Sequence, residues 1–391
     1  MSRYYWLILT ILLVAVACRK PEVVHTKSCS YNGADSSAKH PKNAKYMGIL
    51  EKYRKLGLPG ISVLTEDENG VWFGATGRAD ILKNTPFEPC TVSKLGSLTK
   101  MMLSTAIFQL HEAGKLNLDE KISLHLNNKV IEKVKNSGAV TLRDLLRHNT
   151  GIYDIIADGG FYLAVVNNPN KKWTAEELIA FAYNKPANFE PRTSVQYSNT
   201  NTLLAAMVVD AIRPGGKDHA QWMKELVFDK VGMPNTFYHS HDALPPQTAR
   251  GYFDLYQNGT LTDVSNMITG SGFGFTGVYS NVFDMHKFMK ALFIDRKLVN
   301  ATSLLNMQTF APSTDTATDI GSGLLLEYKS TGHGGVGHTG GDLGYAAVAH
   351  YFPSKNSRIL IYCVNYGTNG NSNLREVYIA FREELAKTLL E

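Results

Sequence analysis

Apolar residues recur at helical spacing over 44–56 (AKYMGILEKYRKL), and Gly57 stops the run. Two β-rich runs follow in GISVLTEDENGVWFGATGR, placed about Asn69-Gly70, which predicts a hairpin. A helix is expected over 97–113 (SLTKMMLSTAIFQLHEA), closed by Gly114. From about 115 to 270 the pattern is mostly helical and is broken by Pro and Gly. One helix there follows Tyr197-Ser198-Asn199 and runs to Pro214-Gly215-Gly216. Beyond 275 comes a helical stretch, DMHKFMKALF. Three β-rich segments follow it: GSGLLLEYKS, GHTGGDLGYAAVAHYFP and SRILIYCVNYG. A helix, LREVYIAFREELAKTLL, closes the chain.

This order predicts an α+β fold. Early and late strands share one central antiparallel sheet, helices flank it, and a mostly helical subdomain is inserted at about 115–270. No Pro/Ser-rich linker divides residues 44–391, so one domain with an insertion is expected rather than two.

The first residues follow a different pattern. Residues 4–17 are apolar apart from Thr10, with Arg3 before them, and end in Ala15-Val16-Ala17-Cys18. A membrane span needs about 20 such residues, so the run fits a secretory signal over 1–17 better. Its end resembles a bacterial lipobox with Ala15 in place of the usual Leu, which makes Cys18 the expected lipidation site and the membrane a partner through a lipid anchor. The expected location is then the cell envelope, facing the periplasm or exterior. An ordinary cleaved signal or an uncleaved anchor is the alternative. Residues 18–43 are polar and without period, and read as a flexible tether. Of the remaining cysteines, a Cys29–Cys90 bridge is possible in an oxidising compartment, but unpaired, structural thiols are the expectation for Cys29, Cys90 and Cys363.

Composition narrows the class. Hydrophobic residues are 44% of 391 and charged residues 19%, a globular balance. A net charge of +5 over this length is too weak to imply nucleic acid. Four cysteines without a CxxC pair give neither a disulfide scaffold nor a zinc site, and no metal is expected.

Chemistry is first suggested at Ser97-Leu98-Thr99-Lys100. A serine hydroxyl needs a base to become a nucleophile. Residues i and i+3 of a helix share a face, so an amine stands beside the hydroxyl. A helix N-terminus also favours developing negative charge. Ser36-x-x-Lys39 matches the same pattern in the tether. Ser97 differs in following Gly96 and opening an apolar helix, where desolvation lowers the lysine pKa.

Tyr197-Ser198-Asn199 offers a phenol and an amide. Tyr256-x-Asn258 and Tyr279-x-Asn281 match too; the first lies in a polar turn, and Ser280 of the second reads as a helix N-cap. His338-Thr339-Gly340-Gly341 precedes a β-rich run. Its glycines let a substrate lie along a strand edge. The backbone N–H groups of Ser97 and Gly341 are candidates for an oxyanion hole. An ordinary glycine-rich hairpin explains the same residues. Gly332-x-Gly334-x-x-Gly337 also fits a nucleotide-binding GxGxxG, but strand rather than helix follows it, so no cofactor is expected.

Taken in order, these motifs resemble the serine β-lactamase and D,D-peptidase superfamily, in its class C β-lactamase-related branch. LGSLTKMMLSTAIFQLHEAGKLNLDEKI is similar to the nucleophile helix of that branch, TLRDLLRHNTGI to its LLxHTSG stretch, YSNTNTLLAAMVV to its YxN motif and following helix. FGFTGVYSNVFDMHKFMKAL and GHTGGDLGYAA resemble later segments, so the likeness spans about 45–385. It implies a transpeptidase-like fold and a serine hydrolase. Ser97 would be acylated, Lys100 would accept or relay its proton, and Tyr197 would protonate the leaving group and activate water. Asn199 would bind the substrate's amide, with His338, Thr339 and Gly340 along the opposite wall. Lys100 and Tyr197 remain alternative bases.

Class C β-lactamases carry Lys where this chain has His338, and His-Thr-Gly occurs in peptide hydrolases of the superfamily. The expected activity is therefore on a small molecule or peptide: a D-amino acid peptide such as a peptidoglycan stem peptide, or an ester. A β-lactamase or a non-catalytic penicillin-recognising protein is the alternative. GxSxG is absent around Ser97, which excludes an α/β-hydrolase nucleophile elbow.

Overall fold

The computed structural model describes residues 37–391, apart from 271, 315, 317 and 369–371. The signal segment, Cys18 and Cys29 lie outside the described residues. Among the described residues no helix is long and apolar enough to cross a membrane.

Six strands carry the central sheet: β1 (Gly60–Asp67), β2 (Gly70–Asp80), β3 (Leu325–Glu327), β4 (Gly335–Asp342), β5 (Tyr345–Phe352) and β6 (Arg358–Val364). Their order is β2-β1-β6-β5-β4-β3, with two-residue strands extending both edges, and the pairs are antiparallel. The early hairpin and the late strands therefore form one sheet, as the pattern predicts. Asp67 pairs with Gly70, so the hairpin loop is Glu68–Asn69 and Gly70 opens β2.

Side chains alternate across each strand, and both faces are covered. Along β6, Ile359, Ile361 and Cys363 face one core, whereas Leu360, Tyr362 and Val364 face the other. The second core is closed by α1 (Asn43–Lys55) and the C-terminal α6 (Asn373–Leu390). Helix α1 forms because Tyr46, Ile49, Leu50 and Tyr53 make one buried stripe at helical spacing. The first core holds α2 (Thr99–Glu112) and α5 (Val282–Met289). Residues Thr99–Leu110 of α2 are buried without interruption, which marks it as a central helix. The region 115–270 adds α3 (Gly159–Asn167) and α4 (Asn199–Ile212) among short helices and strands.

Three expectations change. The tether was expected to run to residue 43, but 37–43 pack on the domain. The buried His40 ring lies 3.1 Å from Asp67, and Ser37 Oγ accepts from Phe73 N–H. The N-cap before α5 is Asn281, whose side chain accepts from Asp284 N–H at 2.9 Å, and not Ser280. Cys90 is disulfide-bonded rather than an unpaired thiol, while Cys363 is free and buried.

Candidate active site

Ser97 stands in a single 3-10 turn, Gly96–Leu98, that leads into α2. Gly96 adopts φ +55°, and a Cβ there would lie 2.9 Å from the Gly341 carbonyl oxygen and 3.0 Å from its nitrogen. Gly340 is equally constrained, since its Cβ would fall 2.0 Å from the Leu95 carbonyl oxygen. Two glycines thus let β4 lie backbone to backbone against the Ser97 turn. Thr99 locks the turn by donating to Gly96 O at 2.8 Å and accepting from Val278 N–H at 3.1 Å.

Lys100, one helical turn on, is fully buried. Its Nζ donates to Ser97 Oγ at 2.9 Å, Asn199 Oδ1 at 2.8 Å and the Phe275 carbonyl at 2.7 Å. Burial pushes its pKa down to about 7, against a smaller opposing pull from Asp154 and Asp342. Three acceptors aim the amine, and desolvation makes it a base near neutral pH.

Tyr197 lies across from it, with Nζ 5.0 Å from the ring centroid. Its hydroxyl oxygen is buried and makes no well-formed hydrogen bond. Burial drives the phenol far above its ordinary value, and the Ser97 hydroxyl offsets only part of this. A buried, unsatisfied hydroxyl of this kind is suited to a group that arrives with substrate.

Asn199 begins α4. Its amide is largely committed: Oδ1 accepts from Lys100, and Nδ2 donates to Asp154 Oδ2 at 3.0 Å, leaving one N–H. Burial raises the pKa of Asp154.

His338 is on β4, its ring centroid 5.9 Å from that of Tyr197. Nδ1 lies 2.6 Å from the Thr339 carbonyl and is therefore the protonated nitrogen. Burial, aided by Lys100, pushes its pKa down to about 3. Titration of His338 near its ordinary value of 6.5 does not fit this environment. Thr339 points to the other face and donates to Glu327 Oε2 at 2.5 Å. The outer edge of β4 pairs with β3 only through Gly335–Gly337. From His338 onward the described strand ladder runs on the β5 side. The helix that a phosphate-binding GxGxxG would open is replaced by β4 itself.

Sequence reasoning missed two residues here. His148 stacks on Tyr197, and Asp154 anchors Asn199. His148 lies within TLRDLLRHNTG and Asp154 three residues past its end, and the likeness of that stretch to the superfamily was the available signal. That loop also satisfies the polar first turn of α4. Thr150 donates to Asn201 Oδ1 at 2.7 Å, and Ile155 N–H donates to Thr200 Oγ1 at 2.9 Å.

Past Gly341 the cleft opens into a cavity of about 480 Å³ with aromatic and aliphatic walls, among them Tyr162, Phe253, Leu255 and Tyr366. A larger cavity of about 710 Å³ lies between residues 328–333 and α6, and none of the expected site residues lines it. Among the described residues no group of three or more His, Cys, Asp or Glu could hold a metal.

A two-faced antiparallel sheet, a helical cap and this Ser–Lys–Tyr cluster define the serine β-lactamase and D,D-peptidase superfamily. The chain belongs to the Beta-lactamase family, whose model matches residues 46–382. It is 26% identical over 284 residues to PbpX of Bacillus subtilis, covering 72% of this chain and 65% of that protein's own length, under two thirds. A D-stereospecific amidohydrolase from Streptomyces sp. superposes with a TM-score of 0.74 at 25% identity, over 87% of this chain and 98% of that one. A D-amino acid amidase from Ochrobactrum anthropi SV3, complexed with L-phenylalanine amide, gives a TM-score of 0.75 at 24% identity, over 88% and 99%. The latter likeness is one of fold.

Proposed function

We propose that this protein is a serine hydrolase that cleaves an amide or ester through an acyl-enzyme on Ser97. The observation that carries the proposal is the buried Lys100 amine, 2.9 Å from Ser97 Oγ and with its pKa pushed down to about 7. A neutral Lys100 takes the Ser97 proton as Oγ attacks the substrate carbonyl. The oxyanion forms against the backbone N–H groups of Ser97 and Gly341. Tyr197 gives its proton to the leaving group and regains one from Lys100. Water then attacks the acyl-enzyme by the reverse relay. Lys100 rather than Tyr197 is the resting base, because burial disfavours tyrosinate.

The substrate reading is a D-amino acid amide or peptide, with the substituent beyond Gly341 held in the apolar cavity. The Streptomyces neighbour supports the stereochemical part. Neutral His338, in place of a lysine, favours this over β-lactamase activity. Export and lipid attachment at Cys18 belong to the same proposal and rest on the apolar run before it.

The test is mass spectrometry after incubation with a fluorescent penicillin and with small activated esters. Label is expected on the Ser97 peptide and absent from Ser97→Ala. Label persisting on the Ser97→Ala protein would defeat the assignment.

A further inference from the structure

Thr339 and Arg382 are a hydroxyl and a guanidinium facing one point, the geometry of a carboxylate receptor. In this chain the point is already filled. Glu327, at the end of β3, receives Arg382 Nη2 on Oε1 at 2.7 Å and the Thr339 hydroxyl on Oε2 at 2.5 Å. His350 Nε2 lies 3.0 Å from Oε2. Burial alone would raise the Glu327 carboxyl, but His350, Arg382 and Thr339 hold it well below the ordinary range, so it is an anion. Arg382 is further fixed by its Nε on the Tyr328 hydroxyl at 3.0 Å. The face is continuous because Gly335 and Gly337 place no side chain between Glu327 and His350.

Arg375 lines the cavity beyond Gly341 at the far end of β4, but the basic groups around Thr339 supply no spare positive charge. His338 is held neutral by burial, and His350 is turned to Glu327. Lys100 is turned to Ser97, Asn199 and Phe275. A substrate running along the edge of β4 past Thr339 therefore meets a donor pair whose protons are taken and whose charge is cancelled.

We propose that Glu327 is a resident carboxylate occupying the Thr339–Arg382 donor pair, so that the enzyme selects substrates uncharged where they pass Thr339: carboxamides and esters over free carboxylic acids. This rests on the acyl-enzyme reading above. Glu327 acts through Thr339 and Arg382 and is a positioning residue.

The experiment uses two esters of one N-acyl-D-amino acid, with glycolate or glycolamide as the leaving group. They differ only in a carboxylate. The wild type is expected to favour the glycolamide ester in kcat/KM by about tenfold or more, the low end for a charge-assisted hydrogen bond. Glu327→Gln and Glu327→Ala should move that ratio towards glycolate by a similar factor. In Glu327→Ala, added acetate should refill the vacated pair and restore the preference for glycolamide. A fluorophosphonate that labels Ser97 reports which variants are folded. A wild type that takes both esters equally, or labelled variants with an unchanged ratio, overturns the inference alone. Failure of wild-type Ser97 to label overturns the acyl-enzyme reading and this inference with it.

Discussion

The imidazole of His148 lies flat on the ring of Tyr197, with centroids 4.6 Å apart and planes 12° from parallel. His148 holds φ +55°, and its Nδ1 accepts from Ser198 N–H at 3.0 Å and faces Asn201 Nδ2 at 3.2 Å. Burial, then Lys100, pushes its pKa down to about 3, so the ring stays neutral and Nδ1 stays an acceptor. One side chain thus fixes both the plane of the phenol and the backbone beside it.

His148→Phe keeps the stack and deletes the acceptor. The buried Ser198 N–H is then unsatisfied, and about 1–3 kcal/mol of stability should be lost. Urea denaturation checks this; an unchanged midpoint would show that the amide finds another partner.

The rate of Ser97 acylation should rise with pH through an inflection near 7, where Lys100 becomes neutral. His338→Gln should leave that inflection in place, because His338 is already neutral throughout this range. The measurement is kcat/KM against pH on one uncharged ester. Loss of the inflection in His338→Gln would return the titration to histidine.

Stability carries the same signature. The folded pKa of Lys100 is depressed to about 7 from an ordinary 10.5. Below about 7 both folded and unfolded chains hold the proton, and burial costs its full amount. Between about 7 and 10.5 only the unfolded chain holds it, so the penalty shrinks as pH rises. Lys100→Met should flatten this part of the profile by an amount on the order of a few kcal/mol. Denaturant titrations of both proteins at pH 7 and pH 10 measure the difference in slope; parallel profiles would count against the depressed lysine.

Cys18→Ser tests the envelope assignment. The unsubstituted protein should sediment with membranes, and the variant should be released or left unprocessed. A lipoprotein needs two or more acyl chains for firm attachment, since one binds only marginally. Fractionation that finds the unsubstituted protein fully soluble removes the lipid anchor.

The sheet was legible because its strands are apolar on both faces and stand on either side of a long helical stretch. Ser97 and Lys100 were legible because i, i+3 spacing on an apolar helix has one geometric meaning. His148, Asp154 and Glu327 were not. His148 and Asp154 act on residues 50 and 45 positions away, Glu327 acts on side chains of other elements, and no local period marks any of the three. The commitment of Asn199 to Lys100 and Asp154 was hidden for the same reason. The end of the tether was misplaced because a polar stretch gives no sign that His40 will find Asp67.

The contact of Gly96 and Gly340 with the backbone of the opposite segment separates two properties of the cleft. The spacing of the amides at Ser97 and Gly341 is set by main chain on main chain, with no side chain between them. The far wall of the cavity beyond is built by side chains on other elements, Tyr162 on α3 and Phe253 and Leu255 in the 252–255 segment. On the proposed mechanism, substitutions at those positions change which substituent is accepted and leave the grip on the reacting carbonyl as it was. In such a molecule the range of substrates can drift over evolutionary time while the chemistry stays fixed.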